Sequence, residues 1–278
     1  MMNDTSASPL QVWEGDCREL LPAVPTESVD LVFTSPPYAD NRMKTYGGVP
    51  PDQYVDWFLP VGGELLRTLK PTGSFVLNIK EKTVDGERST YVIDLIRELR
   101  NIGWRWTEEY IWYKKNSVPG KWPNRFRDAW ERLLHFTKSR HFSMYQDAVR
   151  VPIGSWAQTR FNQLSESDTK RQTYRTLSNF GVNHSHWIGK ETVYPTNVLH
   201  LATECGNKKH SAVFPESLPE WFIKLFTVPG DTVLDPFLGS GTTGAVCRRL
   251  DRHFIGIELH PNYAEVARER IFGQQLLF

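Results

Sequence analysis

Residues 232–244 read TVLDPFLGSGTTG, and no other segment narrows the possible folds as much. An apolar stretch meets an acidic residue, then glycines and small hydroxyls, then a helical pattern, which predicts a strand, a tight loop and a helix start. Gly239, Gly241 and Gly244 satisfy G-x-G-x-x-G. Glycines there let the backbone pass close to a ligand, and the free N–H groups of the helix start favour an anionic group. The next strand, FIGIEL, ends on Glu258, where a carboxylate can accept from both ribose hydroxyls. The pattern alone describes a nucleoside-binding half-fold, and a dinucleotide oxidoreductase is its first competitor. Asp235, followed by Pro236 and Phe237, argues against that competitor, because it sets a negative charge where a pyrophosphate would sit. The same charge suits the cationic methionine end of S-adenosylmethionine.

Short apolar runs at 29–33, 74–79, 109–113, 132–136, 232–234 and 253–257 alternate with segments of helical spacing at 54–69, 91–101, 218–227, 243–250 and 262–272. Pro60 and Gly62-Gly63 are expected to kink or divide the first of these helices. Strands alternating with helices predict an α/β fold, a mostly parallel sheet covered on both faces. Residues 154–196, rich in Ser, Thr, Asn, Gln and His with little periodicity, read as a loop-rich insertion on that scaffold. Cys17, Cys205 and Cys247 form no C-x-x-C, and His184 and His186 lack further ligands at defined spacing, so no metal is expected. Unpatterned cysteines, no basic-then-apolar start and no stretch near the ~20 apolar residues of a membrane span predict a soluble, reduced, cytoplasmic chain.

The formal charge of +1 conceals a polarity. Residues 114–210 hold 16 Lys+Arg against 7 Asp+Glu, so that segment is +9 and the remainder −8. Its basic residues are interleaved with aromatics, a composition suited to phosphate contact and base stacking, although a solvated basic face over core tryptophans has the same signature.

Residues 29–38, VDLVFTSPPY, run a buried strand straight into Ser35-Pro36-Pro37-Tyr38. The two prolines fix φ and remove two backbone donors, leaving carbonyls on a rigid edge. The Ser35 hydroxyl and a Pro36 carbonyl can both accept from an exocyclic amino group. Tyr38 offers an aromatic face to a base rotated out of a duplex, and its face rather than its hydroxyl is the part expected to matter. An aryl amino nitrogen is a poor nucleophile until such bonds localise its lone pair; direct displacement then depends on positioning. Methylation at cytosine C5 is disfavoured because no cysteine follows a proline.

These motifs resemble the S-adenosylmethionine-dependent DNA amino-methyltransferases. TSPPY at 34–38 is similar to their catalytic motif, DPFLGSGTTG at 235–244 to their cofactor loop, and residues 210–231 to the segment before that loop. The order of motifs is that of the beta group. The resemblance implies a circularly permuted, Rossmann-like methyltransferase fold with a seven-stranded sheet, one strand antiparallel, and it favours a homodimer. It implies catalytic roles for Ser35, Pro36, Pro37 and Tyr38. It implies cofactor contacts from Asp16, Thr34, Asp235, Pro236, Phe237, Gly239, Ser240, Gly241, Thr242, Thr243 and Glu258, Asp16 serving the adenine.

The expected organisation is a catalytic half at 1–139, a target-recognition insertion at 140–209 and a cofactor-binding half at 210–278. Double-stranded DNA is the expected partner. Arg160, Asn162, Gln163, Arg171, Gln172, Arg175, Asn179 and Asn183 form the candidate reading surface, since Arg pairs with guanine and Asn or Gln with adenine in the major groove. Cytosine N4 and adenine N6 both remain open as the acceptor, and RNA or a small molecule is the alternative substrate. Residues 39–48 have the composition of a flap or of an ordinary exposed loop. The terminal QQLLF resembles short peptides that bind the bacterial sliding clamp, against the plainer expectation of a last turn packed on the core.

Overall fold

Alternating apolar runs and amphipathic runs become strands and helices in the order Leu10–Glu14 (β1), Cys17–Leu20 (α1), Val29–Thr34 (β2), Tyr54–Thr68 (α2), Leu69–Ile79 (β3), Thr83–Val84 (β4), Glu87–Arg88 (β5), Tyr91–Asn101 (α3), Arg105–Lys114 (β6), Trp130–Thr137 (β7), Val151–Pro152 (β8), Thr192–Val193 (β9), Val198–Leu201 (β10), Ser217–Phe226 (α4), Thr232–Asp235 (β11), Thr242–Arg249 (α5), His253–Glu258 (β12) and Pro261–Phe272 (α6). The computed structural model describes residues 9–39, 48–117, 120, 123–155, 159, 163, 189–203 and 214–273. The chain divides into two compact units, Met1–Tyr145 with Asn197–Phe278, and Gln146–Thr196. The second lies inside the expected insertion, and within it β8 pairs antiparallel with β9.

In the first unit eight strands form the main sheet in the order β1-β12-β11-β2-β3-β7-β6-β10, and β4 pairs antiparallel with β5 in a separate two-stranded sheet. Only β7 runs against the others, pairing antiparallel with β3 and with β6. The sheet therefore has eight strands among the described residues, one more than expected. Val198–Leu201, absent from the apolar runs read in the sequence, pairs parallel with the outer edge of β6 and covers backbone groups an open edge would expose.

Strand β2 shows how the sheet is covered. Val32 joins the cluster that holds Tyr54, Phe58 and Leu65 of α2, while Phe33 stacks on Phe222 of α4 with ring centroids 5.5 Å apart. Successive residues of a strand point to opposite faces, so helices must cover both, and the run VDLVF is accordingly apolar almost throughout. Helix α2 is continuous across Pro60, so the proline does not divide it. Pro60 and Asp56, whose carbonyl loses its helical donor, both lie on the exposed face where water replaces the bond. The opposite face buries Tyr54, Phe58, Val61 and Leu65, each worth ~1.5–3 kcal/mol and together more than the ~3 kcal/mol cost of an interior proline. Gly62 allows close approach: a Cβ there would lie 2.6 Å from Leu99 Cδ2 of α3. Its carbonyl accepts from Trp104 Nε1 at 3.0 Å.

Candidate active site

Strands β11 and β2 are neighbours, yet the chain leaves β11 through α5 toward β12 on one side and leaves β2 through α2 toward β3 on the other. Helices that diverge in this way open a crevice at the carboxyl ends of the two strands, the place where open α/β sheets bind ligands. Both sequence motifs end there. Thr34 closes β2, Asp235 closes β11, and Thr34 Oγ1 donates to Asp235 Oδ1 at 2.6 Å across 201 residues of chain.

The cofactor loop is held from within. Asp235 is buried, and its carboxylate also accepts from Thr243 Oγ1 at 2.7 Å and from the Phe237 N–H at 3.1 Å. Burial pushes its pKa up to about 6, against the pull of these three donors. The charge expected to face the cofactor's cationic end is thus turned into the loop. Thr242 accepts from Arg270 Nη1 at 2.8 Å, so the hydroxyls of Thr34, Thr242 and Thr243 are all engaged inside the protein. Ser240 and Pro236 are buried.

The glycines serve packing more than ligand approach. Gly241, the N-cap of α5 at φ 83°, would place a Cβ 2.9 Å from Ala267 Cα of α6, and Gly244 would place one 2.3 Å from Ile271 Cδ1. Gly239 differs: at φ +57° a Cβ would meet nothing within 4 Å, so open space lies beside it.

The donor and acceptor set around that space fits S-adenosylmethionine. Glu258 Oε2 accepts from the Gly239 N–H at 2.8 Å and Oε1 from the His260 N–H at 3.0 Å, which orients the carboxylate at the end of β12. Phe237 is half-buried, 5.7 Å from Trp57 by ring centroids, an aromatic wall of the kind a purine stacks on. Gly15 donates its N–H to the Glu258 carbonyl at 2.9 Å, bringing Asp16 to the neighbouring strand end. Asp16 caps α1 through the Arg18 N–H, and the Arg18 guanidinium holds its pKa below the usual carboxylate value.

The tetrapeptide lies on the β3 side of Thr34. Tyr54 Oη donates to the Pro37 carbonyl at 2.9 Å and ties the prolines to α2. Ser35 Oγ lies 3.4 Å from Tyr38 Oη, which donates to Glu131 Oε2 at 2.8 Å. Asn78 Nδ2 donates to the same Glu131 oxygen at 3.1 Å and to Ser35 Oγ at 3.5 Å, and Lys114 Nζ donates to Glu131 Oε1. Burial first, and the Glu131 carboxylate second, push the Tyr38 phenol well above its ordinary pKa, so it is a neutral donor. The hydroxyl of Tyr38, expected to be dispensable, is therefore bonded on both sides.

Glu131, Asn78 and Lys114 were missed in the sequence. Their signal was polar residues within apolar runs, Asn78 in SFVLNI and Glu131 at the head of WERLLHF. Beside Tyr38 a cleft of ≈ 550 Å³ is lined by Lys80, Lys82, Lys114, Arg125 and Arg127 against Glu81 and Asp128, an excess of positive charge suited to a phosphodiester. Of the candidate reading surface, Gln163 is an exposed turn residue. Arg160, Asn162, Arg171, Gln172, Arg175, Asn179 and Asn183, the pair His184 and His186, residues 40–47 and the QQLLF terminus lie outside the described residues. Among the described residues no group of three or more His, Cys, Asp or Glu could hold a metal ion, and no helix is long and apolar enough to cross a membrane.

The model of the N6/N4 methyltransferase family, described as DNA methylase, matches residues 29–269. The chain belongs to this family. As a family member it is a DNA methyltransferase that takes its methyl group from S-adenosylmethionine and acts on an exocyclic amino group, which decides against the RNA and small-molecule alternatives. Type II methyltransferase M.PvuII of Proteus hauseri is 33% identical over 94% of this chain and 83% of its own length. M.BglII of Bacillus subtilis is 27% identical over 95% of this chain and 69% of its own. Among solved structures, PvuII DNA methyltransferase (cytosine-N4-specific) matches with a TM-score of 0.71 at 29% identity, covering 96% of this chain and 87% of that one. A Thermus thermophilus protein assigned as a DNA modification methylase, complexed with S-adenosyl-L-methionine, matches with a TM-score of 0.63 at 25% identity, covering 97% of this chain and 96% of that one.

Proposed function

We propose that this enzyme methylates N4 of cytosine in duplex DNA at a specific sequence. The observation that carries the choice of base is the serine tetrapeptide at the mouth of the crevice, together with the likeness of the chain to the cytosine-N4-specific PvuII DNA methyltransferase. When bound, S-adenosylmethionine supplies a methyl carbon on a cationic sulfur, and the amino nitrogen forms the N–C bond as the C–S bond breaks. Ser35 Oγ and the Pro36 carbonyl orient the amino group, Tyr38 stacks on the flipped base, and Glu258 with Asp16 and Phe237 holds the cofactor. Methylating unmethylated genomic DNA with labelled cofactor and digesting it to nucleosides tests the base. N4-methylcytosine is the expected product, and N6-methyladenine alone refutes the choice.

The insertion at 140–209, flanked by the halves 1–139 and 210–278, is the part proposed to read DNA, on the strength of its place in the +9 segment. Replacing Arg160, Arg171 or Arg175 singly by alanine separates a base contact, which costs affinity for cognate DNA alone, from a phosphate contact, which costs affinity uniformly and flattens the salt slope by ~0.9. Parent-like binding by all three variants removes the assignment. The chain is also proposed to work in the cytoplasm, where its buried thiols Cys17 and Cys247 stay reduced, and as a homodimer, which sedimentation equilibrium tests.

A further inference from the structure

Methylation leaves the amino nitrogen with a positive charge and one hydrogen too many, and the side chains around Ser35 are arranged to take that proton away. Glu131 is only 7% exposed and receives donors from three directions: Lys114 on β6, Asn78 on β3 and Tyr38 of the tetrapeptide. A carboxylate has no hydrogen to give, so it fixes the direction of every bond behind it. Tyr38 must donate to Glu131, which leaves the Tyr38 oxygen to accept from Ser35. Ser35 then has its own hydrogen pointed away from the crevice and a lone pair left for the substrate. The Ser35 to Tyr38 distance of 3.4 Å is long, as catalytic hydrogen bonds commonly are before substrate tightens them.

We propose that Glu131 ends a proton path, from Ser35 Oγ through Tyr38 Oη to Glu131 Oε2, which accepts the proton shed by the methylated amino group. This rests on Ser35 being the amino group's acceptor in the proposed function. Once the N–C bond has formed and the C–S bond has broken, one proton passes from nitrogen to Ser35 Oγ, the Ser35 proton passes to Tyr38 and the Tyr38 proton passes to Glu131. Both hydroxyls end as they began, the nitrogen is a neutral secondary amine, and Glu131 is a carboxylic acid. A nucleobase protonated on its exocyclic amino nitrogen is a far stronger acid than a carboxylic acid, because losing the proton restores conjugation with the electron-poor ring, so the acceptor needs position rather than high basicity. Tyr38 and Lys114 both line the basic cleft, through which the proton reaches water.

Two variants test the path. Glu131→Gln keeps the shape but offers an amide, whose oxygen faces Lys114 and whose NH2 then faces Tyr38 and reverses the chain. Tyr38→Phe keeps the aromatic face and cuts the chain. Single-turnover methylation of unmethylated genomic DNA is expected to fall by ~10²-fold or more in each, the scale of lost proton-transfer catalysis. The double variant is expected to be no slower than the slower single, because both break one path. Melting temperature, cofactor affinity by calorimetry and DNA affinity are expected to stay near those of the parent. With 3-fluorotyrosine at position 38, the fluorine resonance of the cofactor-free protein is expected to move on Glu131→Gln. Parent-like rates in either single variant, losses that multiply in the double, or a fluorine resonance that does not move overturn the proposal. So does a loss confined to Glu131→Gln with a lowered melting temperature, which marks Glu131 as a strand brace. A parent that leaves no methylated amino base in DNA overturns the proposed function instead, and the fluorine arm still reads the chain.

Discussion

Replacing Gly241 by alanine is expected to destabilise the fold far more than the same change two residues earlier at Gly239. Both glycines have a left-handed backbone, φ 83° and 57°, so each alanine carries the ~1–2 kcal/mol penalty of that conformation, partly offset because alanine also restricts the unfolded chain by ~0.4–1 kcal/mol. Only Gly241 meets a wall. Its new Cβ would sit 2.9 Å from Ala267 Cα and 3.1 Å from Ala267 O, backbone atoms of α6 that cannot rotate aside. Forcing α5 and α6 apart adds the ~1–3 kcal/mol typical of an overpacked contact. The expected losses are therefore about 1 kcal/mol for Gly239→Ala and about 2–4 kcal/mol for Gly241→Ala. The difference corresponds to about 2–12 °C in melting temperature for a chain of this size. Urea unfolding of both variants beside the parent, without cofactor, measures it. Equal stabilities, with the damage appearing only in cofactor affinity, would refute the packing argument and restore the view that these glycines serve ligand approach.

Asp235 carries a pH signature. Its folded pKa of about 6 lies above the ordinary 3.8, so the folded state holds its proton longer and stability from this residue is lost as pH rises between those values. The stability difference between parent and Asp235→Asn should therefore shift against the parent from about pH 4 to about pH 6, and a shift in the opposite sense contradicts the burial argument. Glu258→Ala should weaken S-adenosylmethionine by ~1.5–3 kcal/mol in calorimetry, the scale of hydrogen bonds to a charged acceptor, and unchanged affinity removes Glu258 from the site. Tyr38→Ala removes a stacking platform worth ~1–3 kcal/mol and should impair turnover while cofactor affinity holds; methylation at the parent rate sinks the assignment of Tyr38 to the base.

Local chemistry is written in local sequence, and that much could be read directly. The strand, glycine loop and helix at 232–244, the apolar runs of β2, β3 and β12, and the helix of 91–101 each depend on neighbours in the chain, so their periodicity predicts them. The SPPY tetrapeptide was equally legible, because prolines fix their own backbone wherever they occur. What a side chain touches depends on partners far away in sequence. Asp235 reads in the sequence as a lone carboxylate at a strand end, and only the fold shows Thr34, 201 residues earlier, donating to it. Gly241 looked permissive until α6 packed against it. Glu131 looked like one more charge at the start of a strand, and only the register of β7 between β3 and β6 sets its carboxylate against Asn78, Lys114 and Tyr38. Strand β10 is no shorter than β11 but has no glycine loop and helix behind it to mark it, and it pairs with the edge that β6 offers. Sequence therefore determined which elements form and which chemistry they carry, while pairing and packing over long range decided which hydroxyls and carboxylates remain for the substrate.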